Sequence, residues 1–566
     1  MSEQDAPSFN LYELMQAQAD RYPGRLAFAL ARQRDRHSGR YQYETRTYAQ
    51  LLADVDRTAE GLHESGIRQG TKTLLLMRPD LALPVTVFAL FKLGAVPVFI
   101  NPAMSLRQML GCIRQVAPQA LIAPTLAHAL RPCLRLFDWR AFSSITLFIN
   151  SHDTRLPATR RLADLSEAAR PMKEMAQTHS TDLAAIFFTS GSTGPAKGVE
   201  ATHGTLGAQI AHFRSMSQSS EEHVELAAFP VALLLSPCLG QTSVIPDMGS
   251  LHPRRCNPAN IIQAIEDFGV TSGFASPIVW ERLSRYGVAR GLQLPSLKRA
   301  FSGGAPIPYK MLDRIGNLMP NGVMHTPYGT TEVTPITTID AREIEQETAL
   351  LSRDGRGVCV GRVVPGLSVK VIRLDDRPLA HWGDVQELQM GEIGEVVVRG
   401  ALVSPRYHKD PVNTARYKIA ADTGDARFPF WHRTGDAAYF DKHGRLWLCG
   451  RIQHMVEVGG QRYFSVPVEE VLNAEAEIWR SALVGVTVKG SVELAMVIEF
   501  YPEYKHQISQ TRLRTYKARL HELGFPVAHL LPYPRPFPVD KLHNAKIERP
   551  VLARWAQAQI DKGVRA

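Results

Sequence analysis

The apolar positions follow two periods along the first third of the chain. Between about residues 45 and 175, short apolar runs (KTLLLM, AVPVFI, ALIAP) alternate with longer stretches of helical pattern. Continuous apolar runs of that length read as strands covered on both faces, so this region predicts a parallel α/β sheet. The longest apolar stretch, 84–100, is interrupted by Lys92, Gly94 and Pro97. That pattern suits a buried helix followed by a buried strand, and no transmembrane segment is predicted.

A polar, irregular stretch ends near residue 180, and a second βα run starting at Asp182 predicts a second α/β subdomain. From about 357 to 448 the pattern changes to short strands (SVKVIRL, GEIGEVVVRG, RLWLC) separated by Gly, Asp and Pro, as in a small β-rich unit. After Gly450 and Arg451, strands near SALVGVTV and ELAMVIEF accompany a helix that carries Leu513, Tyr516 and Leu520 on one face. The expected fold class is therefore α/β. A large N-terminal domain, 1–451, holds two α/β subdomains and a small β-rich subdomain, and a small α+β C-terminal domain, 452–566, follows. A chain of 566 residues is too long for one core.

Apolar residues at 45% and charged residues at 21% are a globular balance, which excludes wholesale disorder and fibrous repeats. The first residues are acidic and carry no basic stretch leading into an apolar run, so no secretory signal is read and a cytoplasmic protein is expected. The net charge of +10 is spread along the chain without aromatic interleaving. It argues against a nucleic-acid face and for assistance to anionic substrates at most. Six cysteines lie scattered without a CxxC pair, which supports free buried thiols over a zinc site or a disulfide framework.

Four segments carry candidate chemistry. In IFFTSGSTGPAKGVEATHGTL, a strand-like run over 183–188 meets a loop rich in glycine and hydroxyl side chains, then Lys197, then a helix carrying Leu206, Ile210 and Phe213. Gly191, Gly194 and Gly198 permit close backbone approach to phosphate. Thr189, Ser190, Ser192 and Thr193 offer hydroxyls, and Lys197 offers a point charge. No Ser or Thr follows the lysine, so this is not the GxxxxGK[ST] loop, and a surface turn is the alternative. In MHTPYGTTEVTP, Tyr328, Gly329, Thr331 and Glu332 combine an aromatic face, hydroxyls and one carboxylate. One carboxylate suffices for Mg²⁺ that shares its shell with phosphates, although the run also reads as a turn before a strand. In HRTGDAAYFDKHGRLWLCGR, Asp436 could accept ribose hydroxyls and Arg451 could pair with a phosphate. Asp441, Lys442 and Gly444 read as hairpin turn chemistry. Lys546 sits in a polar loop before the last helix, where the residues alone read as a solvated surface lysine.

Taken together and in this order, the segments resemble the adenylate-forming superfamily of acyl-CoA synthetases, luciferases and peptide-synthetase adenylation domains. TYAQL, KLGAVPVFINP, TSGSTGPAKG, SGGAP, YGTTE, GEIGEVVVRG, HRTGD and GR carry the resemblance over nearly the whole chain. It implies ATP and Mg²⁺ as cofactors, a hinge just after Arg451 and a mobile C-terminal domain. Gln453 stands where such enzymes usually have Asp or Lys at the hinge. By motif position, 189–197 would hold the leaving phosphates, with Thr189, Ser190, Gly191, Ser192, Thr193, Gly194 and Lys197 as its contacts. Gly303, Gly304, Ala305 and Tyr328 would contact adenine, and Thr331 the α-phosphate. Glu332 would hold Mg²⁺, Asp436 would bind ribose with Arg451 assisting, and Lys546 would stabilise charge during adenylation.

Two departures sharpen the resemblance. His543-Asn544-Ala545-Lys546 replaces the usual Gly-Lys, and FPVALLLSPCLGQTSVIPDM replaces the usual motif before the acyl pocket. With TPYGTTEVTPI, GVCVGRVVPG and RLWLCGR, these look like the olefin β-lactone synthetases of bacterial hydrocarbon biosynthesis. That resemblance implies a long-chain 2-alkyl-3-hydroxy acid as substrate, no requirement for coenzyme A, and a multienzyme assembly with a thiolase, a reductase and a decarboxylating hydrolase. The run 231–235 and its sequel to Ile245 could line an alkyl channel or simply pack in the core. His203 and His325 lie near motifs, and each could accept the hydroxyl proton or only form structural hydrogen bonds. The alternatives are a fatty acyl-CoA ligase, a fatty acyl-AMP ligase, or an idle ATP-binding relative. Retention of Lys197, Glu332, Asp436 and Lys546 argues against the last.

Overall fold

A computed structural model describes residues 8–101, 104–189, 195–216, 223–250, 252–304, 307–505, 507–540 and 546–563. Its first sheet has seven strands. In spatial order they are Arg160–Arg161, Leu147–Asn150, Ala120–Ala123, Lys72–Leu75, Val96–Phe99, Leu183–Thr189 and Lys197–Thr202. All neighbours are parallel except the last pair. The second sheet repeats the plan with Val323–His325, Arg299–Phe301, Ser272–Phe274, Val224–Ala227, Thr242–Ile245, Leu26–Arg34 and Tyr41–Thr47, again antiparallel only at its final edge.

The expected order of the two subdomains needs one correction. The βα run at Asp182 does not open the second sheet: Leu183–Thr189 and Lys197–Thr202 close the first, while Leu26–Arg34 and Tyr41–Thr47, ahead of the first sheet in sequence, belong to the second. Both assignments satisfy the same apolar pattern, because a strand covered on two faces carries no record of which sheet it joins. The stretch at 84–100 forms the helix Ala82–Lys92 and the strand Val96–Phe99, as expected. Ala27, Phe28 and Ala227 of one sheet share a core with Leu75 and Ala120 of the other. The helices Leu11–Arg21, Tyr48–Glu64, Ala82–Lys92 and Ala232–Leu239 fill the space between them.

A third, antiparallel sheet gathers Tyr328–Thr330, Val333–Thr338, Val358–Val363, Leu446–Arg451, Phe430–Phe440, Gly394–Gly400 and Leu367–Ile372, with Lys418–Ala420 paired to Phe430–Phe440. Asp441 closes the turn between Phe430–Phe440 and Leu446–Arg451 as expected, accepting from the Arg445 and His443 amides. The C-terminal portion builds its own cores around the strands Ile478–Val488, Ser491–Phe500 and Val527–Pro532 and the helix Gln510–Glu522, which buries Leu513, Tyr516 and Leu520. It docks on the large domain through charge. Buried Glu281 takes Arg314 and the Tyr501 hydroxyl, Arg285 meets Glu503 at 2.5 Å, and Lys310 donates to the carbonyls of Glu475 and Ile478. Of the six free cysteines, Cys133 is exposed and five are buried.

Trp280 is fully buried, and its indole N–H donates to the Phe301 carbonyl at 3.0 Å, directly before Ser302 and Gly303. Trp280→Phe removes one of that carbonyl's two donors, the Ala275 amide at 3.1 Å being the other, and leaves a void beside it. A cost of about 2–3 kcal/mol is expected, read as a lower thermal midpoint; an unchanged midpoint would show that the indole carries no such role.

Candidate active site

Parallel strands deliver their following loops to one edge of a sheet, and the sequence motifs emerge there. The strand Leu183–Thr189 turns back through the predicted phosphate loop into Lys197–Thr202, with Thr189 opposite Lys197 at the neck. Ser190, Gly191, Ser192, Thr193 and Gly194 lie outside the described residues, as do Ala305 and His543 to Ala545. The stem is anchored from elsewhere. The His408 amide donates to the Gly198 carbonyl at 2.7 Å and the Glu200 amide to the Arg406 carbonyl at 3.1 Å. The Glu200 side chain takes His408 at 2.6 Å and Arg406 at 2.7 Å.

Tyr407, in the middle of that anchor, joins two predicted site residues. Its hydroxyl donates to Glu332 Oε1 at 2.7 Å, and the Lys197 ammonium lies over its ring at 5.3 Å and over the ring of Tyr417 at 3.8 Å. Glu332 is also held through its backbone, since the Ser404 amide donates to its carbonyl. Burial alone would raise the Glu332 pKa, but nearby His432 and the Tyr407 hydrogen bond outweigh it and hold the carboxyl well below its usual range. His432 is driven toward its neutral form by burial and by Lys418, so the hydrogen bonds from Tyr407, then the Glu332 backbone amide and Thr330, are the support that persists near neutral pH. Lys418, walled in by protein, falls to about 7, with Glu332 opposing the fall.

Tyr407→Phe therefore should raise the Glu332 pKa and move the acid limb of adenylation to higher pH, because the carboxylate form is the one that can meet a cation. A pH–rate profile of ATP–pyrophosphate exchange checks this; an unmoved acid limb would detach Tyr407 from Glu332.

Tyr328 and Thr331 belong to the hairpin Tyr328–Thr330/Val333–Thr338, whose tip leaves Thr331 exposed. A Cβ on Gly329 would come within 2.6 Å of the Val333 carbonyl, so the tight hairpin needs glycine there. Gly303 and Gly304 follow the strand Arg299–Phe301, and Gly304 adopts φ +96°, a conformation that other residues resist. Asp436 is buried and tied on both oxygens. Tyr328 donates to Oδ2 at 2.7 Å and Arg451 Nε meets Oδ1 at 3.0 Å. Each oxygen keeps a further lone pair for a ligand hydroxyl. Arg451 was open to pairing with a phosphate on sequence grounds. In the structure it pairs with Asp436, opposite which it lies in the strand ladder, and donates to the Thr434 carbonyl at 3.0 Å.

Lys546 comes from the C-terminal portion. Its amide donates to Asp540 Oδ1 at 2.8 Å and its carbonyl accepts from the Asp540 amide, which pinches the neck of a loop. The side chain is reachable from solvent yet surrounded by protein at longer range. That burial, then Arg451, lowers its pKa, while Asp540, Glu332 and Asp436 oppose the shift. The ammonium thus stands in the field of the two carboxylates singled out from the sequence, more than 100 residues away in the chain.

The two candidate histidines both make packing or backbone contacts. Buried His203 accepts the Leu11 amide on Nδ1 at 3.1 Å and is lowered to about 4 by burial. His325 stacks on Phe301 at 5.3 Å. In the apolar run after 231, Leu233, Cys238 and Ile245 pack in the first core, whereas Leu234 and Leu235 are only partly buried against it. Sequence reasoning missed Tyr407, Tyr417, Lys418 and His432. They lie 75 to 100 residues beyond Glu332, and no spacing rule connects them to it.

The AMP-binding enzyme family matches residues 15–408. The chain is 37% identical over 548 residues to the olefin β-lactone synthetase of Stenotrophomonas maltophilia, covering 95% of this chain and 96% of the relative. It is 36% identical over 520 residues to that of Xanthomonas campestris, covering 91% of each. ATP-bound MatB from Rhodopseudomonas palustris shares the fold, with a TM-score of 0.76 at 18% identity over 97% of this chain and 99% of that one. The chain therefore belongs to the AMP-binding enzyme family and, within it, to the olefin β-lactone synthetases, as an ATP-dependent adenylate-forming ligase.

Proposed function

We propose that the protein adenylates a long-chain 2-alkyl-3-hydroxy acid and closes it to a β-lactone without coenzyme A. The observation that carries the adenylation half is the convergence of Lys546, Glu332 and Asp436 from distant segments. The cyclising half rests on likeness to the olefin β-lactone synthetases across more than nine-tenths of both chains. A substrate carboxylate oxygen attacks the α-phosphorus and pyrophosphate leaves. The substrate's own hydroxyl oxygen then attacks the acyl carbon, loses its proton, and AMP departs with the electrons of the acyl–oxygen bond. Both groups belong to one molecule, so the second step has the orientation advantage of an intramolecular reaction.

Attack of one anion on another needs cations between them. Lys546 supplies one beside the α-phosphate, where Thr331 offers a hydroxyl, and Lys197 supplies another at the leaving phosphates along the loop 189–197. Glu332 would hold Mg²⁺. Its ionised carboxyl fits that ion, and among the described residues no group of three or more possible ligands surrounds it, as suits a metal that arrives on a nucleotide. Mg²⁺ supplies charge compensation at the phosphates. Asp436, kept in place by Arg451 and Tyr328, takes the ribose hydroxyls, and the segment from Gly303 to Ala305 lies against adenine. The hinge falls after Arg451, at the short turn Ile452–His454, so that Lys546 can leave once the acyl adenylate has formed. In the same reading a thiolase and a reductase furnish the acid and a decarboxylating hydrolase consumes the lactone, in one assembly with this chain.

The test is incubation with ATP, Mg²⁺ and a synthetic 2-alkyl-3-hydroxy acid without coenzyme A, followed by NMR for β-lactone and an assay for AMP. Lactone and AMP together are expected. Acyl thioester and AMP formed only on adding coenzyme A would replace this reading with that of an acyl-CoA ligase.

A further inference from the structure

The helix Thr125–Phe137 lies beside the edge of the first sheet and buries only His128 fully. Leu126, Leu130, Leu136, Phe137 and the following Trp139 expose between 49% and 89% of their surface. Positions 126, 130, 133 and 137 form one helical stripe, and Cys133 on it is exposed as well. So large a cluster of apolar side chains in water, ending in two aromatics, is unusual for a surface helix and marks a contact face.

The charges around it restrict the partner. The helix contains no Asp or Glu but carries Arg131 and Arg135, and Arg140 follows. The neighbouring acid, Asp138, is taken by Arg114 at 3.1 Å, and Arg131 lies on the Phe148 ring at 3.9 Å. Arg135 and Arg140 are exposed, the Arg140 guanidinium lying over the Trp139 ring at 5.8 Å. Pairing this face with a second copy would gather four arginines, two from each copy, at one interface. A layer of anionic headgroups over acyl chains answers both features at once, with arginine at the headgroups, Trp139 at their level and leucines below. Among the described residues no helix is long and apolar enough to cross a membrane, so the contact is with a surface.

We propose that the exposed apolar face of Thr125–Phe137, continued by Trp139 and flanked by Arg135 and Arg140, docks the protein on an anionic lipid surface. Delivery of a two-tailed, water-insoluble acid from that surface is the use such docking would have, and this last clause alone rests on the proposed function.

The test uses the full chain without substrate, sedimented with vesicles of phosphatidylcholine containing about one-third phosphatidylglycerol or with phosphatidylcholine alone. Binding to the anionic vesicles, weakened by salt and by omission of the anionic lipid, is expected. Arg135→Gln with Arg140→Gln should weaken it about thirtyfold, and Leu136→Glu with Phe137→Glu should abolish it. An environment-sensitive dye on Cys133 should shift to the blue on anionic vesicles. ATP–pyrophosphate exchange with a soluble acid should persist in both variants, which separates loss of docking from misfolding. Failure of the wild-type chain to bind would overturn the proposal. So would equal binding by the double-glutamate variant, or a wild-type dimer that this variant converts to a monomer with vesicle binding unchanged.

Discussion

Lys546→Ala is expected to slow ATP–pyrophosphate exchange by on the order of a hundredfold to a thousandfold while leaving ATP affinity within a few-fold, since removal of one preorganised charge from a transition state has that effect. The ammonium lies in the field of Glu332 and Asp436, carried there by a loop whose neck is pinched by paired hydrogen bonds between Asp540 and Lys546. Its charge is tunable by pH. Burial and Arg451 lower its pKa, so the cationic form is complete on the acid side and is lost as pH rises through a value below the ordinary lysine figure of about 10.4. Exchange by the wild-type enzyme should accordingly fall on the alkaline side, and that limb should vanish in the residual activity of the variant. Full activity in Lys546→Ala would remove this lysine from the mechanism.

Glu332→Gln should have the next largest effect. The substitution keeps the size of the side chain and its place beside Tyr407 but removes the charge. Adenylation should fall by about a hundredfold at fixed Mg²⁺ and recover in part as Mg²⁺ is raised, because a neutral amide is a weaker ligand for a hard cation than a carboxylate. ATP binding without metal should hold or tighten, since a negative charge facing the phosphates is gone. Equal Mg²⁺ dependence in the variant and the wild type would assign the carboxylate to another task, such as holding Lys418 and the Tyr407 hydroxyl in position.

The two predictions draw on residues of different legibility. Glu332 and Asp436 are candidates in the sequence because each lies in a short motif whose composition suits its chemistry, whereas Lys546 becomes one only through the family resemblance. The supports of Glu332 were not. Tyr407 and Ser404 sit before an Asp-Pro turn, and His432 and Lys418 face each other in adjacent strands, Lys418 being the register partner of His432. A buried amine near pH 7 and a neutral buried histidine are products of desolvation and neighbouring charge, and neither quantity exists in a linear chain.

Element type and approximate bounds followed from the sequence alone, since apolar period, turn residues and length are local properties: the helix after residue 82, the strands at 394 and 446 and the face of Leu513, Tyr516 and Leu520 all emerged where the pattern put them. The order of motifs likewise determined the family. What tertiary structure decided was membership and meeting. Leu26–Arg34 crosses to a sheet built mostly after residue 220, Arg451 pairs with Asp436 across two strands, and Lys546 enters the field of Glu332 from more than 200 residues away. Those outcomes depend on which apolar faces cover one another and which charges share a desolvated space, and such pairings become definite only when the whole chain has packed.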